Sequence, residues 1–95
     1  LYDTLAARMG SPVVELNRAV AHAMAFGPQA GLEMVDALVD ARELRDYHLL
    51  PSVRGDLLEK LGRSDEARVE FARAASLARN EREAELLRRR AAATP

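Results

Sequence analysis

Apolar residues recur three and four positions apart along the chain and nowhere keep up a strand-like alternation, which predicts helix throughout. Leu16, Ala19, Val20 and Ala23 share one face of a helix that Ser11 caps, Pro12 opens and Gly27 ends just after Phe26. Pro28 opens the next, whose Leu32, Val35 and Leu38 lie on one stripe before it fades near Ala41. Arg42 to Asp46 read as a polar connection. Leu50, Val53, Leu57, Leu58 and Leu61 mark a further helix, with Pro51 in its first turn and Gly62 at its end. Ser64 is the expected cap of the following helix, with Asp65 and Glu66 against the positive end of its dipole and Ala67, Phe71, Ala74 and Leu77 facing inward. Asn80 with Glu83 three residues on makes a capping-box-like start for a last helix carrying Leu86 and Leu87. Residues 1–9, stopped by Gly10, read as a helix too, so the expectation is all-α with about six helices.

The helix-ending glycines Gly27 and Gly62 stand 35 positions apart (62 − 27), and each joins two helices. Gly55, Leu58, Gly62, Ala67, Phe71 and Ala74 alternate small, bulky and turn residues in an order that resembles the tetratricopeptide repeat, whose period is about 34 residues. On that resemblance Gly55 and Ala67 let two helix backbones approach closely, and Leu58 and Phe71 fill the space beside them. Gly31, Val35 and Leu38 take the same places in the preceding unit if its turn is one residue shorter, with Ala19 and Ala23 as its slim face. The expected organisation is one domain over 1–95. Residues 1–9 would be the end of a truncated hairpin, 12–41 a first hairpin, 48–79 a second, and 81–93 a capping helix that covers the apolar end of the stack. Arg79 and Pro51 depart from the repeat, which has proline and an aromatic there.

Composition narrows the function classes. Fourteen Lys and Arg against fifteen Asp and Glu leave a net charge of −1, without the positive field that nucleic-acid or anionic-membrane binding needs. No segment reads as a membrane span or a signal peptide, so a cytoplasmic address without membrane partners is expected. The chain has no cysteine, which removes disulfides, thiolate metal sites and cysteine nucleophiles. It opens on Leu1-Tyr2-Asp3-Thr4-Leu5 without Met, which suggests a piece of a longer protein.

The residues that could carry chemistry have plainer readings. His22 and His48 lie 26 positions apart (48 − 22) with no Cys to complete a zinc site, so no metal is expected. Ser11, Ser52, Ser64 and Ser76 lack a nucleophile-elbow context, and Ser11 and Ser64 fit as caps. Glu81, Glu83 and Glu85 sit among arginines, where ion pairing along a helix explains them. Gly27 and Gly31 follow no strand, so no phosphate loop forms. No catalytic residue, cofactor or enzymatic activity is assigned. Arg88, Arg89 and Arg90 are consecutive and therefore point around a helix, without interleaved aromatics. They read as a solvated helix end favoured by its dipole, with a nucleic-acid contact as the second reading.

Longer phrases add a second resemblance. Ser11-Pro12-Val13-Val14-Glu15-Leu16-Asn17-Arg18-Ala19-Val20-Ala21, Gly27-Pro28-Gln29-Ala30-Gly31-Leu32, Tyr47-His48-Leu49-Leu50-Pro51, Arg54-Gly55-Asp56-Leu57-Leu58-Glu59-Lys60-Leu61-Gly62-Arg63 and Arg88-Arg89-Arg90 resemble a C-terminal extension of bacterial sigma factors. Those factors belong to the extracytoplasmic-function class and append a tetratricopeptide-like domain to their promoter-binding regions. The resemblance covers almost the whole chain. It implies a regulatory module that contacts the sigma core, RNA polymerase or a regulator protein, with DNA reached only through regions outside this sequence. It also implies a concave face lined by the first helix of each hairpin, carrying Asn17, Ala21 and Met24, then Ser52, Asp56 and Glu59. The Asn17 amide suits the backbone of a bound extended segment, or equally a structural bond to a neighbouring loop. Tyr47 and His48 are candidate anchors at the mouth of the second hairpin, with packing beneath the 42–46 connection the favoured reading for Tyr47. A free-standing helical scaffold, a basic-tail nucleic-acid binder and a hydrolase with an unrecognised site stay open as alternatives.

Overall fold

The computed structural model describes residues 11–40 and 44–94, and among them every regular element is a helix. Five α-helices follow one another: α1 (Ser11–Phe26), α2 (Pro28–Asp36), α3 (Leu49–Lys60), α4 (Ser64–Leu77) and α5 (Glu81–Ala93). The sixth expected helix, over residues 1–9, lies outside the described residues, as do Ala41 and, within the 42–46 connection, Arg42 and Glu43. Each helix packs chiefly on the next in sequence, α1 on α2, α2 on α3, α3 on α4 and α4 on α5.

Glycine sets the breaks between elements. Gly27 takes φ +102°, a backbone open to glycine and costly for other residues, and Pro28 then supplies the first residue of α2. Gly62, at φ +78°, closes α3: its N–H donates to the Glu59 carbonyl at 3.0 Å and the Arg63 N–H to Leu58 at 2.9 Å. This paired reverse bonding is the Schellman arrangement, and it satisfies carbonyls that the helix end would otherwise orphan. It also changes the start of α4. Arg63, drawn into the turn, occupies the cap position, so Ser64 is the first residue of the helix and makes no cap bond, contrary to expectation. Asn80 does cap α5, its Oδ1 accepting from the Glu83 N–H at 2.9 Å.

The core runs continuously through Leu16, Ala19, Leu32, Val35, Leu44, Leu50, Leu57, Leu58, Ala67 and Phe71. Leu44 corrects the reading of 42–46 as merely polar, because its side chain is 1% exposed and belongs to that core. Val20 and Leu86, expected on apolar stripes, lie at the surface and Leu77 is only half-buried, while Ala75 and Ala84, two positions before Leu77 and Leu86, are buried. α2 ends at Asp36, and residues 37–40 continue as turns.

The helix pairs α1–α2 and α3–α4 make their close contacts differently. A Cβ at Gly31 would overlap the Ala23 methyl and come within 3.0 Å of the Ala23 Cα, so α1 and α2 touch nearly backbone to backbone. A Cβ at Gly55 would instead meet the Phe71 ring at 2.9–3.2 Å. The partner of Gly55 is therefore the Phe71 ring, not the Ala67 backbone. Glycine here makes room for the largest fully buried side chain of the molecule.

Candidate protein-interaction surface

The buried stripe of α1, Leu16, Ala19 and Ala23, leaves an adjacent stripe of the same helix free. Val13, Asn17, Val20 and Met24 recur at spacings of four, three and four, so they share that stripe. All four are exposed, Met24 to 85%. Phe26 is 72% exposed at the end of the same helix, its ring centre 4.7 Å from that of the half-buried His22 and tilted 44° to it. Val20 and Met24, with Ala23 of the same helix, continue into a shallow cleft of about 210 Å³ closed by Pro28, Leu57 and Lys60 of the following helices. The result is an apolar strip with one amide at its centre and one ammonium at its rim. Such a surface can hold an apolar segment while fixing its backbone through Asn17. Ala21 is exposed on the same helix.

On α3 the expected residues have internal partners. Asp56 and Glu59, one turn apart, both accept from the Arg90 guanidinium of α5 at 2.9 Å, and Lys60 pairs with Asp56 at 3.0 Å. The Arg90 guanidinium also lies 4.5 Å from the centre of the Phe71 ring, a cation–π placement. Thr94 closes the group, its hydroxyl 3.2 Å from Glu59 and 2.8 Å from the Arg90 carbonyl. Partial burial pushes the Asp56 carboxyl up, but hydrogen bonds from Arg90 and Lys60 outweigh it and hold Asp56 below the usual aspartate value. Hydrogen bonds to Asp56 and Glu59 raise the Arg90 guanidinium further above its ordinary value. These acids pin α5 onto α3, so their first role is structural.

The three consecutive arginines are accordingly not a free basic patch. Arg90 reaches α3, Arg88 pairs with Glu81 at 2.6 Å and Glu85 at 3.3 Å, and Arg89 pairs with Glu85 at 3.4 Å. Sequence reasoning also missed Arg54. Its Nε donates to Asp36 at 2.8 Å and its Nη1 lies 3.4 Å from Glu70, joining α2, α3 and α4. Burial lowers the Arg54 guanidinium, and its hydrogen bonds and charge pairing with Asp36 and Glu70 together more than restore it.

At the start of α3, His48 is only 8% exposed, with Nε2 at 3.4 Å from Glu83 and its ring edge-on to Tyr47 at 5.9 Å. It sits between helix ends instead of anchoring from the surface as expected. Tyr47 is half-buried and packs against the core. Ser52 is half-buried beside α5. Among the described residues, no three His, Asp or Glu side chains gather where a metal ion could be held, and no helix is long and apolar enough to cross a membrane.

An uncharacterized protein of Rhizobium meliloti (strain 1021) is 47% identical over 88 residues, covering 93% of this chain. The chain spans only 20% of that relative's length. No protein-family model and no solved structure matches the chain. The similarity runs through all five helices, so it concerns the helical unit as a whole, and in the relative that unit is one segment of a much longer protein.

Proposed function

We propose that the chain is a tetratricopeptide-like array of helical hairpins acting as a non-catalytic interaction and regulatory module of a bacterial extracytoplasmic-function sigma factor. It works in the cytoplasm by contacting the sigma core, RNA polymerase or a regulator protein. The observation that carries the reading is the exposed stripe Val13, Asn17, Val20 and Met24 on the first helix of the first hairpin. An exposed apolar stripe beside a polar group is how helical repeats recognise extended or helical segments. Three things support the reading. The 35-residue spacing of Gly27 and Gly62 coincides with real helix breaks, the phrases that resemble the sigma-factor extension fall on these helices, and the relative carries the equivalent segment within a longer chain. Arg88, Arg89 and Arg90 of α5 are each paired with carboxylates within the chain, which disfavours the nucleic-acid reading.

Deleting this segment from the full-length protein tests the proposal. Transcription from a dependent promoter should change, and the isolated chain should show no sequence-specific affinity for that promoter in a salt-titrated binding assay. Unchanged transcription after deletion would remove the regulatory role.

A further inference from the structure

Three methionines, Met9, Met24 and Met34, hold all the sulfur of the chain, which has no cysteine to meet an oxidant first. Met9 lies outside the described residues. Met34, on α2, is half-buried and packs against the core. Met24, on α1, is 85% exposed, more than any other large apolar side chain among the described residues. Its position in the helix explains why. Ala23 makes the close contact with Gly31 of α2, and the next residue is turned about 100° away around the helix. The exposed thioether nevertheless borders an apolar surface, sharing its stripe with Val13 and Val20 and its cleft with Val20, Ala23, Pro28 and Leu57.

We propose that Met24 is a peroxide-sensitive modification site, and that its oxidation weakens the contact made by the α1 stripe. A thioether reacts without first losing a proton, so access to the sulfur decides which methionine is oxidised. The sulfur lone pair attacks one oxygen of hydrogen peroxide, forming the S–O bond as the O–O bond breaks. The departing hydroxide takes the proton of the transferred hydroxyl and leaves as water. Sulfur loses two electrons, peroxide gains them, and the product is methionine sulfoxide. That product is polar, and covering it with apolar side chains of a partner buries an oxygen without a donor. Contact through the stripe should weaken about fivefold or more. The consequence for transcription rests on the interaction-module reading above, whereas the oxidation itself depends only on exposure.

The test has two arms. In the first, the 95-residue chain is treated with hydrogen peroxide and mapped by mass spectrometry of its peptides. Met24 should gain one oxygen at least about tenfold faster than Met34, and a chain modified at Met24 should melt as the untreated one does. Equal rates at Met24 and Met34, or a lowered melting temperature at that stage, overturns the site. In the second arm, the full-length protein is oxidised until Met24 is converted, and transcription from a dependent promoter is compared with the same protein untreated. The wild type should shift toward the value that deletion of the segment gives, and methionine sulfoxide reductases acting on both epimers should restore it. Met24→Leu keeps the volume and removes the sulfur, so its own treated and untreated samples should differ less. An equal shift in Met24→Leu, or no shift in a wild type fully oxidised at Met24 when deletion does change transcription, overturns the regulatory effect of oxidation and leaves the module reading standing. Deletion without effect removes the module reading by itself, and the rates and melts of the first arm still decide the site.

Discussion

Gly31 and Gly55 both look like small residues that let helices approach, yet they face different neighbours and predict different costs. Gly→Ala within a helix gains up to about 1 kcal/mol from backbone propensity, and overpacking a tight contact costs about 1–3 kcal/mol. At Gly31 the new methyl would meet the Ala23 Cβ and Cα, which move only with the backbone of α1, so overpacking should win. At Gly55 it would meet the edge of the Phe71 ring, which can tilt by tenths of an ångström, and the two effects should nearly cancel. Thermal melts should therefore fall by several degrees for Gly31→Ala and little for Gly55→Ala, given about 4–8 °C per kcal/mol in a domain of this size. Equal melting temperatures would refute the distinction. The sequence made the need for small residues legible through their spacing, but not the neighbour each one serves. Leu44 was illegible for a different reason, because one apolar residue in a short polar run has no periodicity. At 1% exposure, Leu44→Ala should cost about 2–5 kcal/mol in urea unfolding, and a surface-like loss below about 0.5 kcal/mol would return it to the connection.

Between elements, α5 packs chiefly on α4, with Ala84 buried and Leu87 and Ala91 half-buried against the core, and it is tied to α3 by charge. Asp56, Glu59, Arg90 and Thr94 join residues 31 to 35 positions apart, and no local spacing signals such pairs. That is why the acids of α3 were read as a partner-facing surface and the arginines as a solvated end. Arg90→Met keeps much of the stem over Phe71 and removes the charge. The pairs are partly exposed, so the loss should be about 1 kcal/mol at low salt and shrink in molar salt. A loss unaffected by salt would point to packing instead. The pH dependence follows from Asp56, whose folded value lies below its ordinary 3.8. A depressed carboxyl stabilises the fold fully above the unfolded value and loses that contribution as pH falls through the lower folded one. Stability should thus decline on acidification below about pH 4, and Asp56→Asn, weaker at neutral pH, should decline less over the same range. Parallel acid limbs for the two proteins would show that Arg90 gives Asp56 no special stability.

Across the whole molecule, the order of helices was legible because glycine and proline punctuate it and each amphipathic stripe has the helical period. The division of the surface between internal bonding and a partner was not, because it depends on which helix lies opposite. Asn17 and Met24 emerge as the residues free to meet a partner, while Asp56 and Glu59 already meet Arg90. This separates two kinds of variant. Asn17→Ala with Met24→Ser removes an exposed amide and an exposed thioether, and surface changes of that kind shift stability by no more than about 0.5 kcal/mol. Asp56→Asn with Glu59→Gln removes the charge tie between α5 and α3 and should lower the melting temperature before any partner is considered. If the module acts through the α1 stripe, the first pair should reproduce the transcriptional effect of deleting the segment while the chain melts as the wild type does. The second pair should alter transcription only in proportion to lost stability. A module that braces the promoter-binding regions for polymerase would lower transcription when the stripe is changed, and one that holds them apart would raise it. The brace is the expected sign, because an attached module without a separate release signal is most simply part of the active form. Wild-type transcription from a stably folded Asn17→Ala, Met24→Ser protein would remove the α1 stripe as the contact surface, whichever way deletion of the segment acts.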